Sequence, residues 1–236
     1  MTTHLSPLAK QVPGVRSPKL GRARQPWGYL LHTTGGGITD MAKKKKRRPI
    51  DVAIEIYIAS QNGSEGYKWG GPSYVIDHDG SISQIAPDDI MTAHCGGAHR
   101  AEYIDGSWIH KANPAAVAQW FAHWGPRYKH PYQLFPSTSP NVDYVGCEMI
   151  PCGDGFGEPM APGLRFTKAQ HDAAIDLGKD LGARHGWPAG WHRTSRLLGH
   201  EDVDILNRMD KLGGWDPGWL RAKPFFDFDY VRNHIG

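Results

Sequence analysis

Residues 27–33, Trp-Gly-Tyr-Leu-Leu-His-Thr, limit the possible folds more than any other stretch. The run is apolar at consecutive positions and gives way to Gly35, Gly36 and Gly37. Strand side chains alternate between faces, so a strand without polar alternation must be covered on both sides. This implies a layered α/β domain with residues 27–33 as a central strand. It also places His32 at the end of that strand. A chain of 236 residues, 39% hydrophobic and 22% charged, has material for one such domain with a sizeable core. Gly 29 and Pro 18 mean that much of the remainder is loop.

Local signals supply the other elements. Residues 1–25 carry Pro7, Pro13, Pro18 and several basic residues without periodicity. They read as an extended arm on a domain of residues 26–236. Pro49 opens a helix in which Ile50, Ala53, Ile54, Tyr57 and Ile58 recur at helical spacing, and Gly63 ends it. Asp79-Gly80, set between two strand-like segments, marks a hairpin over residues 74–84. Residues 91–94 read as a short strand and 143–150 as a further central strand. Thr167 and Gln170 form a capping box, with Ala174, Leu177 and Leu181 on the inner face of the following helix and Gly186 and Pro188 stopping it. Residues 196–200 read as a short strand or turn. Residues 96–140 read as an irregular aromatic-rich insertion with one helix at 114–124; a connection this long is usually functional. Its aromatics are expected to line a groove or cover the site. The tail, residues 223–236, is expected to pack back as a short helix.

Composition excludes several classes. A formal charge of +3 does not suit a general nucleic-acid binder. The positive charge is instead concentrated in Lys43, Lys44, Lys45, Lys46, Arg47 and Arg48. Such a run is a solvated face or a docking surface for an anionic polymer or lipid. Cys95, Cys147 and Cys152 have neither the even count nor the spacing of a disulfide framework; they read as buried or partly buried free thiols. No segment approaches the roughly 18 apolar residues of a membrane span. Residues 1–25 lack the apolar core of a signal peptide, which suggests a protein made in the cytoplasm and released to its substrate by another agent.

The chemistry concentrates in Gly199-His200-Glu201-Asp202 and in Gly213-Gly214-Trp215-Asp216-Pro217-Gly218. A His and an Asp make half of a zinc site, and His32 can complete it from far upstream. Zinc takes imidazole nitrogen and carboxylate oxygen, and a catalytic site keeps three protein ligands plus water. Glu148, inside an apolar strand, is the candidate general base, since burial raises a carboxyl towards the working range; a solvated or ion-paired strand Glu is the alternative. Lys211 and His94 are candidates to stabilise an oxyanion. A solvated Lys211 and a structural His94 are the alternatives.

Together these segments resemble a known family. His32-Thr-Thr-Gly, the hairpin Tyr74-Val-Ile-Asp-His-Asp-Gly-Ser-Ile-Ser-Gln, Ala93-His94-Cys-Gly, Asn141 with Val145-Gly-Cys-Glu148, and Gly199-His-Glu-Asp with Trp215-Asp-Pro-Gly resemble, in order, the zinc-dependent N-acetylmuramoyl-L-alanine amidases of the amidase-2 type. These share a fold with peptidoglycan recognition proteins. The resemblance runs from about residue 27 to 220. It implies a central mixed β-sheet flanked by helices, with zinc in a surface groove. It also implies hydrolysis of the amide between N-acetylmuramic acid and L-alanine in peptidoglycan. His32, His200 and Asp216 fall on the family's zinc ligands, and Glu148 on the glutamate that assists the attacking water. Two positions depart from the pattern: Ser73 stands where many members have a His, and Gly214 where members with a catalytic Lys often carry it. With no evident wall-binding repeat, the implied setting is a phage endolysin, its cationic run meeting an anionic envelope. A cytoplasmic amidase recycling anhydromuropeptides and a recognition module that binds muropeptide without cutting are the alternatives.

Overall fold

The computed structural model describes residues 5–12, 24–34, 37–61, 71–95, 100–137, 139–153, 155–210, 213–214, 216–221 and 223–236. Six strands, β1 (Lys10–Gln11), β2 (Gly28–Thr33), β3 (Tyr74–Ile76), β4 (Ile82–Gln84), β5 (Tyr144–Met149) and β6 (Leu197–Gly199), form one sheet in the order β1-β4-β3-β5-β2-β6. β2 runs parallel to β5 and β6, β3 runs parallel to β5, and β3 and β4 form the antiparallel hairpin. The sheet is therefore mixed, and the apolar run of residues 27–33 lies inside it. A separate two-strand ribbon pairs β7 (Met209–Asp210) with β8 (Gly213–Gly214).

The described helices are α1 (Gly37–Lys45), α2 (Pro49–Gln61), α3 (Arg100–Asp105), α4 (Trp108–Lys111), α5 (Pro114–His123), α6 (Pro140–Asp143), α7 (Lys168–Arg184), α8 (His200–Val203), α9 (Ile205–Arg208) and α10 (Phe228–Ile235). One face of the sheet is covered by α7 and α10. Tyr29, Leu31, Val145, Cys147 and Met149 pack there with Ala174, Leu177, Leu181, Phe228, Val231 and Ile235 in one cluster. α7 begins as its sequence requires: Thr167 accepts from the backbone N–H of Gln170, and the Gln170 side chain accepts from the Thr167 N–H.

Packing on the other face is split. Leu30, Tyr144 and Leu198 meet Tyr103, Trp108, Trp120, Trp124, Leu134 and Phe135. Val75 meets Ile38, Ile50 and Ala53 from α1 and α2. His32 shares this face with Leu30 by alternation, and it pairs in register with Glu148, which pairs in turn with Val75. The row Val75, Glu148, His32 thus lies at the carboxyl ends of the parallel strands. Open α/β sheets place their ligand sites at these ends.

Several expectations need correction. In the segment 96–140 the helix expected at 114–124 is present as α5, but the described residues are more regular than expected, with α3 and α4 before it and α6 beginning at its end. Trp108, Trp120 and Trp124 from this segment are core rather than groove lining, each at most 2% exposed. Helices of four to six residues are too short to show periodicity, and tertiary packing stabilises them. Residues 91–94 form no strand. α1 went unread because Lys43, Lys44 and Lys45 fill its last turn, leaving only Ile38, Thr39 and Ala42 buried. Part of the N-terminal arm joins the sheet, where β1 pairs in parallel with β4.

Candidate active site

β2 carries His32 near its carboxyl end, β6 delivers His200 as the first residue of α8, and the turn at Pro217-Gly218 follows Asp216. All three are buried, at 1%, 1% and 4% exposure. His32 Nδ1 lies 3.0 Å from His200 Nδ1, His200 Nδ1 lies 2.8 Å from Asp216 Oδ2, and His32 Nδ1 lies 4.0 Å from Asp216 Oδ1. Arg208 Nε also lies 3.0 Å from His200 Nδ1 and 3.2 Å from Asp216 Oδ2. One ring nitrogen cannot satisfy so many neighbours with a single lone pair or proton. Ligand atoms around a tetrahedral zinc stand about 3.3 Å apart, so this convergence fits a cation site.

Behind the donors, hydrogen bonds set the state of His32. His94 Nε2 lies 3.0 Å from the Tyr144 carbonyl oxygen, which can only accept, so this nitrogen donates. His94 Nδ1 must then accept, and His32 Nε2, 3.0 Å away, donates to it. His32 Nδ1 is left with its lone pair directed at His200 and Asp216, the tautomer a metal ligand needs. Burial pushes His32 well below the usual imidazole range, helped by His200, His94 and Arg208, and burial does the same to His94. Both rings are thus held neutral. Asn141 fixes the segment: its Oδ1 accepts from the backbone N–H groups of His94 and Cys95, and its Nδ2 donates to the Cys95 carbonyl. Gly146 is required here, because a Cβ would lie 2.4 Å from His94 Cγ.

Asp216 and its turn are held by Glu201. The Glu201 carboxylate, fully buried, accepts backbone N–H groups from Asp216 at 2.7 Å, Gly218 at 3.0 Å, Trp219 at 2.6 Å and Leu220 at 3.1 Å. Burial and then neighbouring Asp202 push this carboxyl up to about 8, against the pull of the amides. Asp202, also buried, accepts from Gly199 N–H and from the indoles of Trp124 and Trp219. Asp216 Oδ1 accepts from the backbone N–H of Thr33 at 2.7 Å. A side chain at Gly214 would meet this scaffold, with its Cβ 2.7 Å from Glu201 Cδ. That explains why no lysine stands at this position.

Glu148 faces the same region from β5. Burial raises its carboxyl well above the usual range, Asp216 adds to the rise, and Arg208 and the Tyr57 hydroxyl oppose it. Its Oε2 is buried without a hydrogen-bond partner. Cys95 is also present: its Sγ and one nitrogen each of His32 and His200 lie within 4.8 Å of one another. Lys211 lies outside the described residues. All three cysteines are free thiols.

Residues 22–219 match the family model described as N-acetylmuramoyl-L-alanine amidase. The chain belongs to the N-acetylmuramoyl-L-alanine amidase family. Among solved structures, the amidase aligns with a selenomethionine derivative of AmpD at 15% identity, covering 100% of this chain and 99% of that one, with a TM-score of 0.54. It also aligns with the endolysin N-acetylmuramoyl-L-alanine amidase LysCS from Clostridium intestinale at 14% identity, covering 98% and 96%, with a TM-score of 0.44. No curated protein sequence matches it. The AmpD likeness shows the fold: a mixed sheet with flanking helices in one domain. Among its described residues, no helix of the amidase is long and apolar enough to cross a membrane.

Sequence reasoning missed Arg208, Glu201 and Cys95 as members of this site. Glu201 and Asp202 were visible as acidic neighbours of His200, but nothing local showed that they gather backbone amides from residues 216–220. Arg208 carried no signal, since a single Arg in a polar segment is ordinary.

Proposed function

We propose that this amidase cleaves the amide bond between N-acetylmuramic acid and L-alanine in peptidoglycan with a zinc ion held by His32, His200 and Asp216. The supporting observation is the convergence of two imidazole nitrogens and one carboxylate from separate parts of the chain within 4.0 Å. When bound there, zinc supplies Lewis acidity to the scissile carbonyl and acidifies water.

The protein's own groups supply the remaining steps. Glu148, whose carboxyl burial raises well above the usual carboxylate range, takes a proton from the attacking water and returns it to the departing amine. Arg208 presents a guanidinium beside the donors, 28% exposed, where it stabilises charge developing on the carbonyl oxygen. We assign it the part expected of Lys211. His94 has both ring nitrogens engaged, so its part is to orient His32 rather than to touch substrate.

The setting we propose is wall lysis of the endolysin kind. Lys43, Lys44 and Lys46 are exposed beside the site-bearing face and suit contact with an anionic envelope, while Arg47 and Lys45 pair with Glu55, and Arg48 pairs with Asp77. Purified protein is expected to hold about one zinc and to release stem peptides from intact sacculi, identified by mass. Release from soluble anhydromuropeptides with intact sacculi untouched would favour the recycling alternative. Muropeptide binding that survives a chelator, with no hydrolysis before or after, would overturn the catalytic reading.

A further inference from the structure

Cys95 is the one thiol on the site-bearing face. Cys147 packs in the cluster on the opposite face, and Cys152 Sγ lies beside Gly157, where a Cβ would come within 3.1 Å of it. Cys95 is 7% exposed, and its Sγ shares a 4.8 Å cluster with nitrogens of both His32 and His200. The contact is built rather than incidental. Asn141 grips the backbone at both N–H groups of residues 94 and 95 and at the Cys95 carbonyl, at 2.9, 2.7 and 3.0 Å. The same peptide segment therefore places His94 behind His32 and Cys95 in front. Asp216 already spends Oδ1 on the Thr33 amide, which leaves Oδ2 as its ligand atom.

We propose that Cys95 supplies a fourth donor to the metal of the proposed site, closing its coordination until substrate enters. This rests on the zinc reading above. Two imidazoles, one carboxylate oxygen and one thiolate make a tetrahedral set, and a soft thiolate suits zinc. Ligation breaks the S–H bond, forms an S–Zn bond and releases the proton to solvent. Substrate entry breaks the S–Zn bond, and the sulfur regains a proton from solvent. The resting site is thus sealed by a residue distant in the chain from all three primary donors, 63 positions after His32 and 105 before His200.

X-ray absorption at the zinc edge of the zinc-loaded full chain tests this directly. One sulfur at about 2.3 Å beside nitrogen and oxygen at about 2.0–2.1 Å is expected. Cys95→Ser should lose the sulfur shell, keep its zinc, and surrender it to a chelator about tenfold faster. Cys152→Ser should keep the sulfur shell. Zinc bound by the native protein through nitrogen and oxygen alone overturns the proposal, as does a sulfur shell that persists in Cys95→Ser. A native protein that takes up no zinc overturns the zinc reading itself, a result distinct from zinc bound without sulfur. The native spectrum decides the matter even if the serine variant does not fold.

Discussion

On one face of the sheet, Tyr29, Leu31, Cys147 and Met149 join α7 and α10 in a single apolar cluster. On the other, the core is divided into an aromatic cluster around Trp108, Trp120 and Trp124 and an aliphatic one around Ile38, Ile50 and Val75. The same strands serve both faces. The difference is that the first face is one continuous apolar cluster whose buried polar groups, such as Gln170 and His171, are hydrogen-bonded, whereas the second interrupts packing with His32, Glu148, His200 and Asp216, all of them buried or nearly so. Buried polar groups cost stability unless they are paired, so the divided face needs a scaffold of its own. Glu201 and Asp202 provide it by collecting backbone amides and indoles. The aromatic insertion serves the same end. Trp120 donates to the Asp202 carbonyl and Trp124 to its carboxylate, so a hydrophobic cluster anchors the helix that begins with His200.

The sharpest way to break this contrast is to damage each face in turn. His200→Ala should abolish zinc binding and lower peptidoglycan turnover by ~10³-fold or more, with little loss of thermal stability in the metal-free protein. Leu177→Ala, buried on the closed face, should cost about 2–5 kcal/mol of stability with zinc content unchanged, measured by denaturant titration and metal analysis. If both variants lost metal and stability alike, the two faces would not be separable.

Within the divided face, Glu148→Gln should retain zinc and lose kcat by about 10²- to 10⁴-fold; loss of metal instead would make Glu148 a structural group or a ligand. Glu201→Gln turns an amide donor toward the N–H groups of residues 216–220. It is expected to weaken zinc binding about 10- to 100-fold, read by competition with a chelator, while Glu148→Gln leaves that affinity near native.

The smallest effect concerns pH. His94 is held neutral by burial, with its folded pKa well below the unfolded value, so the unfolded chain binds the extra proton in acid. The stability this neutral ring contributes is complete above about pH 6.5 and lost as pH falls below it, by up to about 1.4 kcal/mol per pH unit. The stability gap between the metal-free native protein and His94→Gln should therefore narrow from pH 7 to pH 5. A gap that widens on acidification would show that His94 is protonated in the folded state.

Much of the layered architecture was legible because its signals are local. The apolar run ending in His32, the Asp79-Gly80 turn and the Thr167 capping box each act within a few residues, and each stands where its chemistry requires. The convergence of His32, His200 and Asp216 was an expectation drawn from their residue types and local contexts and then from family likeness; no spacing in the chain could prove it. The helix at 114–124 was legible, whereas the short helices within residues 100–111 were not, because their stability comes from packing of Tyr103 and Trp108 with Leu30, Tyr144 and Leu198 rather than from their own periodicity.

The sequence by itself determined that the chain has a buried parallel strand, a hairpin and a capped amphipathic helix, because strand alternation, turn geometry and helix capping are short-range. Only the tertiary structure decided which side chains meet at the strand ends. It set His94 behind His32, brought Arg208 to Asp216, and placed Glu201 beneath the turn at residues 216–220. These meetings depend on sheet register and loop packing, which join residues as far as 183 positions apart, as in the bond from the Thr33 N–H to Asp216.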